Sequence, residues 1–487
     1  MTNSLRQKAT SGVFWSAFER FGQQGCAFIV QLVLARLLVP EIFGLIAIVS
    51  VFVSILNVVA DCGFSRALIQ RKEIDTRDLD TVFFFNVGIS LALYLLLYVV
   101  APLLSNFYNQ ADLVSITRWL GLSIVFGAFG SVQTALLNRE MLFKKLFKVT
   151  LPATLVSGGI GVGCAYFGLG VWALVVQVLV QRVASAASLW VVSSWRPSFY
   201  FSLQRLLLLF PFASRLAVSS VLDVGFNNLY VLVIGRIYGP IDVAFFQRAR
   251  AFQQLPSNNL QQIIGRVAFP LLSSVQGDPV QAKVIMRKAM QLCSLISFVG
   301  MAVLAAISEP LIVTLIGEKW LPVVPYLQWL CFSGALYPLS SISLSLITSL
   351  GRSDIYLRLE IIKKVLILAN ILITFRLGIQ AMVYGMVLLS FVGLIINLNY
   401  SGKFIGYGVL EQLRDMTRHA FLAFGVWAVF ALFKFFVFVG SSAIILLSCL
   451  ALTVVIGLIV SKLLSAEVTE EIHGIQRRIF SAKRCSS

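Results

Sequence analysis

Long apolar runs separated by short polar segments dominate the chain. An α-helix needs about 20 mostly apolar residues to cross the hydrocarbon core of a bilayer. The run at 244–272 is the most polar, because Arg250, Gln254 and Arg266 interrupt it and Pro256 lies in its middle. The pattern predicts an all-α polytopic membrane protein with about 14 transmembrane helices. The fourteen runs cover residues 12–36, 43–61, 81–104, 116–137, 149–167, 169–192, 206–236, 244–272, 289–307, 326–349, 361–375, 377–400, 420–438 and 442–464.

Two stretches recur at an offset of about 200 residues. Residues 35–40 resemble 235–240, and residues 169–175 resemble 377–383. Each copy would contain six helices, and six is even, so both copies enter the membrane in the same orientation. We therefore expect two parallel six-helix lobes around a central cavity, plus two extra C-terminal helices. The predicted domains are an N-lobe over 1–200, a C-lobe over 201–402, and a remainder over 403–487 that holds helices 13 and 14 and an amphipathic cytoplasmic tail.

Composition agrees with this pattern. Apolar residues make up 59% of the chain and charged residues 12%, whereas soluble domains carry roughly 25% charged residues. A soluble enzyme, a disordered tail protein and a secreted disulfide scaffold are therefore excluded. Five of the seven cysteines fall inside apolar runs, and we expect no disulfide framework. Both histidines, His419 and His473, lie outside the runs, so a histidine-based metal or general-base site in the membrane is not expected.

The net charge of +18 reflects membrane topology. The basic residues lie in short gaps between apolar runs, which argues against a nucleic-acid-binding surface. With the N-terminus inside, the cytoplasmic segments carry 27 Lys and Arg residues and the outer side carries 6. This asymmetry predicts a multi-pass protein with both termini cytoplasmic. The segments counted as cytoplasmic are the N-terminus, 62–80, 138–148, 193–205, 273–288, 350–364, 401–419 and the C-terminal tail.

Polar side chains form stripes on four of the predicted helices. Residues spaced by 4, 7 and 11 positions share one helical face. Polar residues are costly inside a bilayer, so matched stripes favour helices that line a water-filled cavity between the lobes. The stripes are Arg20, Gln24 and Gln31 in helix 1; Ser50, Ser54, Asn57 and Asp61 in helix 2; Arg215, Ser219, Asp223 and Asn227 in helix 7; and Arg250, Gln254, Ser257 and Gln261 in helix 8.

Structural alternatives remain open for each stripe. Ser, Asn and Gln side chains also form hydrogen bonds between neighbouring membrane helices and hold the helices together. Arg20 could pair with Asp223 inside the protein, and Asp61 could be an interfacial or capping residue at a helix end. Arg36 and Arg236 each precede a proline by four residues, and we interpret them as structural residues at the outer helix ends.

Several ordered motifs resemble those of a known family, the bacterial polysaccharide exporters of the multidrug/oligosaccharidyl-lipid/polysaccharide superfamily. These are the Wzx-type flippases of lipid-linked oligosaccharides, and the branch that serves exopolysaccharides such as colanic acid or succinoglycan is the most similar. None of the motifs is catalytic, so their specificity comes from order and spacing along nearly the whole chain. They lie at 11–16, 34–38, 43–45, 61–64, 67–73, 136–143 and 317–320.

The resemblance implies a bacterial inner-membrane protein that flips an undecaprenyl-diphosphate-linked sugar unit by alternating access. The energy source would be an ion gradient, of protons or sodium, or the membrane potential. No metal, cofactor or nucleic acid is expected. The partners implied are the lipid bilayer and the polyprenyl-diphosphate-linked glycan, with a polysaccharide polymerase and a chain-length regulator as candidates.

The stripes supply candidates for each role in such a transporter. Arg20 and Arg215 are expected to bind the diphosphate or an acidic sugar, because guanidinium groups bind oxyanions in a bidentate manner. Asp61 or Asp223 is the candidate for ion coupling. The remaining substrate-binding candidates are Gln24, Gln31, Asn57, Asn227, Arg250 and Gln254.

Two other functions compete with this interpretation. One is a membrane-embedded polysaccharide polymerase or glycosyltransferase that acts on the same lipid carrier; the short outer loops argue against it. The other is a drug exporter of the same superfamily, which would favour an apolar, acidic and aromatic cavity. We therefore expect a transporter and not an enzyme.

Overall fold

The computed structural model describes residues 22–71 and 73–436. Every regular element in these ranges is helical. The predicted run at 442–464 and the tail lie outside the described residues, as does Arg20. The helices are α1 (22–37), α2 (Pro40–Asp61), α3 (Phe64–Gln70), α4 (Thr76–Tyr108), α5 (Leu113–Ala128), α6 (Ser131–Arg139), α7 (Phe143–Tyr166), α8 (Val171–Val192), α9 (Leu203–Ile237), α10 (Pro240–Ser274), α11 (Pro279–Ala306), α12 (Ser308–Ile316), α13 (Val323–Ser349), α14 (Ser353–Thr374), α15 (Ile379–Ile405) and α16 (Val409–Phe436), with a 3₁₀ turn at Glu318–Trp320.

Each of the first thirteen predicted runs corresponds to a helix, which confirms the all-α fold. Eight described helices are long and apolar enough to cross a membrane. The number becomes nine when α5 and α6, which meet at a 44° bend, count as one broken span. Four charged residues between 358 and 364 keep α14 out of this group, and α10 is rich in amide side chains. Helices also extend beyond the apolar runs, because a polar residue at the interface can continue a helix without entering the hydrocarbon.

The order of helices follows the repeat seen in the sequence. Pro40 and Pro240 begin α2 and α10, the second members of the two series. Proline suits the first turn of a helix, because its fixed φ fits and its missing N–H is not needed there. Gly170 and Gly378, both at positive φ, directly precede α8 and α15, the sixth members. The predicted lobe limits, 1–200 and 201–402, derive from the sequence repeat. These limits stay predictions.

Contacts divide the chain into two compact units that differ from the repeat lobes. Among the described residues, unit 1 comprises 22–251, 315–326 and 361–386, and unit 2 comprises 252–314, 327–360 and 387–436. A core of unit 1 joins α3, α4, α6 and α9. Its fully buried members include Phe64, Leu68, Val82, Val132 and Ala213.

The core of unit 2 joins α10, α11, α13, α15 and α16. Met286, Cys293, Leu339, Leu398 and Tyr407 are buried in it. The helix that follows the two six-helix series, α16, packs along α11. Ion pairs between Lys283 and Glu411 (2.8 Å) and between Arg287 and Asp415 (2.7 Å) join the ends of these two helices.

His419 lies outside the apolar runs of the sequence but inside a packed helix interface. It lies within α16, is buried, and its Nδ1 is 2.8 Å from the hydroxyl oxygen of Ser294 on α11. The apolar run begins at 420, but the helix begins at Val409 and carries the histidine into the packed interface. Helix packing therefore places a titratable side chain inside unit 2.

Candidate functional site

The predicted residues of α1 and α2 lie in unit 1. Gln24 and Gln31 are half-buried on α1. Asn57 is also half-buried, and its Nδ2 donates to the carbonyl of Val53 (2.8 Å) one turn earlier in α2. This bond uses one of the two amide hydrogens. The Oδ1 of Asn57 lies on the side of α2 that faces Gly127 in α5.

Asp61 has a local structural contact. Its Oδ1 accepts hydrogen bonds from the backbone N–H (3.3 Å) and the hydroxyl of Ser65. Ser65 lies in the first turn of α3, where backbone N–H groups lack partners within the helix. The capping alternative therefore describes what Asp61 does in this structure, and its role in ion coupling stays a prediction.

The stripe of α9 carries accessible polar groups in unit 1. Arg215 and Asn227 are exposed. Arg215 has no ion-pair or hydrogen-bond partner within residues 22–71 and 73–436. Arg250 of α10 donates through Nη1 to the backbone carbonyl of Asn227 (2.7 Å), which joins two predicted residues.

Asp223 forms an ion pair that the sequence did not reveal. The Nζ of Lys364 lies 2.6 Å from its Oδ1, and both side chains remain partly exposed. The charge pattern assigns Lys364 to the cytoplasmic 350–364 segment, but α14 begins at Ser353 and carries Lys364 to its middle. Asp223 therefore pairs with Lys364 in this structure. The alternative pairing with Arg20 involves a residue outside the described ranges.

The predicted stripe of α10 does not remain open along its length. Gln254 is half-buried in unit 2. Ser257 is fully buried, and its hydroxyl donates to the carbonyl of Gly334 on α13 (3.0 Å). One turn later Gln261 donates to Ser341 on α13 (3.2 Å). Ser257 is buried against α13 and does not face a cavity, and both side chains hold α10 and α13 together as in other polar helix interfaces. Gln261 is half-buried, and its cavity-lining role stays a prediction.

A cluster in unit 1 brings residues 319–320 into contact with residues 35–38 of the first half of the sequence. Trp320 is fully buried, and its indole Nε1 donates to the carbonyl of Ala35 at the end of α1 (2.9 Å). Lys319 donates through Nζ to the carbonyls of Arg36 (2.8 Å) and Leu38 (2.7 Å). Burial lowers the pKa of Lys319, because desolvation disfavours the ammonium. We call this cluster the Trp320 contact.

Arg248 stabilises the Trp320 contact from α10. Its guanidinium carbon lies 4.8 Å from the ring centre of Phe43 and 5.2 Å from that of Trp320, and the side chain is buried. Arg248 therefore packs between two aromatic rings. The only sequence signal for this role was an arginine inside an apolar run.

Comparison with known proteins identifies the family. Residues 33–325, more than half of the chain, match the family described as "Polysaccharide biosynthesis protein". The chain belongs to this family. It is 27% identical over 376 residues to the lipopolysaccharide biosynthesis protein WzxC of Escherichia coli, with 76% of each chain covered. It is 28% identical to the succinoglycan biosynthesis transport protein ExoT of Rhizobium meliloti, with 70% of this chain and 69% of ExoT covered.

Solved structures agree on the fold. The lipid II flippase MurJ in an inward closed conformation matches with a TM-score of 0.65 at 15% identity, covering 86% of this chain and 98% of MurJ. An inward-facing multidrug resistance transporter of the MATE family, itself a member of the MOP superfamily, matches with a TM-score of 0.62 at 17% identity, covering 79% of this chain and 94% of that transporter. The resemblance that the sequence motifs indicated is therefore confirmed for family and fold.

Proposed function

We propose that the protein flips an undecaprenyl-diphosphate-linked oligosaccharide from the cytoplasmic to the periplasmic leaflet of the bacterial inner membrane. The unit would supply synthesis of a surface polysaccharide, such as an exopolysaccharide, a lipopolysaccharide or a capsule. Membership of the polysaccharide biosynthesis protein family carries the proposal. Two relatives named for lipopolysaccharide biosynthesis and for succinoglycan transport support it.

The chemistry of the polar faces suits such a substrate. A diphosphate needs cationic donors, and sugar hydroxyls need hydrogen-bond donors and acceptors. Arg215 is an accessible guanidinium on a helix long and apolar enough to span a membrane. Asn227, Arg250 and Lys364 add polar groups along α9 and its neighbours. Arg20 would extend this set from helix 1.

Alternating access requires contacts that form in one state and break in another. The Trp320 contact suits this role because it rests on a few hydrogen bonds to backbone carbonyls. We propose that it closes one side of the transport pathway. Protonation or cation binding at Asp223 would release Lys364, which provides a route for coupling to a proton or sodium gradient.

The orientation follows from the charge asymmetry of the loops. We propose that both termini are cytoplasmic, which puts Trp320 near the periplasmic side and Arg139 near the cytoplasm. A polysaccharide polymerase and a chain-length regulator would act on the flipped product. No catalytic step is part of the proposal.

Deletion of the gene in its natural host tests the function. We expect loss of one surface polysaccharide and accumulation of its lipid-linked repeat unit on the cytoplasmic side, both reversed by the intact gene. Extracted lipid-linked intermediates would be quantified by mass spectrometry. Normal polysaccharide together with increased sensitivity to cationic drugs would instead support a drug exporter. Polymerisation of a supplied lipid-linked unit by the purified protein would support the enzyme.

A further inference from the structure

A pocket lies within unit 1, between α3, α5, α6 and α8. Its volume is about 280 Å³, close to the lower end of the range for small-ligand sites. It adjoins the break where α5 and α6 bend by 44°. Small side chains along its wall leave the space open, and these are Gly127, Gly130, Ser131, Ala135, Ser185 and Ala186.

Arg182 is the only charged residue among those lining this pocket. It is the twelfth residue of the 22-residue α8, so it lies about 15–17 Å from each end of the helix. Its guanidinium has no ion-pair or hydrogen-bond partner among the described residues. A guanidinium is costly in the middle of a membrane unless water or an anion satisfies it. The pocket provides the space for either.

The other polar groups of the pocket suit a hydroxylated ligand. The side chains of Asn138 and Ser185 have no hydrogen-bond partner in the described part of the chain, so both can donate and accept. The hydroxyls of Ser65, Ser131 and Thr134 donate within the protein and keep lone pairs for an incoming donor. The lining therefore combines one cation with several groups that bind hydroxyls.

The balance of charge favours a ligand with a single negative charge. The carboxylate of Asp61 is bonded to Ser65, which lines the pocket. Arg182 is the only charged lining residue and can balance one negative charge, whereas a diphosphate carries more charge than Arg182 alone can balance. Any anion is repelled by the nearby Asp61 carboxylate, and the repulsion grows with the charge of the ligand.

We infer that this pocket binds a sugar residue that carries one carboxylate, an acidic monosaccharide unit of the translocated glycan. The carboxylate pairs with the guanidinium of Arg182, and the sugar hydroxyls bind Asn138, Ser185 and Thr134. The inference rests on the proposed function, and it adds a substrate class and a site outside the predicted polar stripes.

Thermal unfolding of the purified full-length protein tests this binding. The probes are glucuronate, glucose and inorganic pyrophosphate at matched ionic strength. We expect glucuronate to raise the unfolding midpoint of the wild type, and glucose and pyrophosphate to have little effect. In Arg182→Gln the apparent affinity for glucuronate should fall about 10-fold to 100-fold, because a charge-assisted hydrogen bond is lost. Arg182→Lys should keep part of the response.

Arg118→Gln is the matched control, because Arg118 is an arginine of unit 1 that contacts Tyr98 and does not line the pocket. It should respond to glucuronate as the wild type does. An equal response of Arg182→Gln would overturn the inference. A pyrophosphate response that depends on Arg182, without a glucuronate response, would overturn the assignment to a sugar carboxylate.

Ser185→Val keeps the test decisive if Arg182→Gln does not fold. It retains the charge and removes a hydroxyl, so glucuronate should bind several-fold more weakly; an unchanged response would contradict the inference. The results distinguish failure of the pocket assignment from failure of the proposed function. If the gene restores the polysaccharide but Arg182 variants bind glucuronate normally, only the pocket assignment is wrong. If the intact gene has no effect on any polysaccharide, the proposed function is wrong.

Discussion

Gly44 of α2 lies directly against the backbone of Pro240, the first residue of α10. A Cβ at Gly44 would fall 1.7 Å from the Pro240 carbonyl oxygen, far inside van der Waals contact. The two helices are corresponding members of the repeat, and this glycine lets them approach within unit 1. The contact therefore depends on the absence of a side chain at one position.

Gly44→Ala should destabilise the protein. The added methyl group meets backbone, which cannot rotate away, and overpacking of this kind costs about 1–3 kcal/mol. We expect a lower midpoint of thermal unfolding in detergent and a lower protein level in the membrane. Gly88→Ala in α4 is the control, because no atom lies within 4 Å of its added Cβ. It should be neutral or stabilising, since alanine favours a helix over glycine. Equal effects of both variants would refute the close contact.

The Asp223–Lys364 pair predicts a non-additive double mutant. Asp223→Asn or Lys364→Met alone leaves an uncompensated charge on a membrane helix, and we expect protein level to fall and export to fall several-fold. The double variant has neither charge at these two positions, so its protein level should be higher than that of either single variant. Polysaccharide export and protein level are measured together.

Export distinguishes the two roles of Asp223. If the pair is structural, the neutral double variant should recover part of the export as well as the protein level. If Asp223 carries the coupling ion, export should stay low in every variant that lacks its carboxylate while the protein level recovers. Simple addition of the two single effects would show that the residues do not interact.

Arg215 should matter for transport more than for folding. It is exposed and has no partner in the described part of the chain, so Arg215→Ala removes little packing. We expect export to fall about tenfold or more at unchanged protein level, because one charge-assisted contact to the substrate is lost. Arg215→Lys should retain part of the activity. Normal export by Arg215→Ala would contradict a role in binding the diphosphate or an acidic sugar.

Impermeant thiol labelling tests the topology. In a variant without the native cysteines, Ala111→Cys should react in intact cells and Glu140→Cys only after permeabilisation. Both positions are exposed at helix ends, and neither adopts the left-handed conformation of Asn109 and Met141. The opposite labelling pattern would reverse the orientation derived from the positive charges.

The sequence alone determined the class of the protein. Apolar runs identify transmembrane helices directly, because each helix needs about 20 apolar residues to cross the bilayer, independently of how it packs against other helices. Motif order then indicated the family, and the prolines at 40 and 240 marked equivalent helix starts. Each of these features is a property of a local segment, so it can be predicted without knowing how the helices pack.

Tertiary structure decided which polar side chains are free. Ser257 and Arg215 both fit a helical stripe, but α13 buries Ser257 while Arg215 remains exposed. Periodicity identifies a face and cannot identify what covers it. Lys364, Arg182 and Arg248 were missed for the same reason. An ion pair, a pocket and a site between two aromatic rings arise from residues distant in sequence, and only packing brings such residues together.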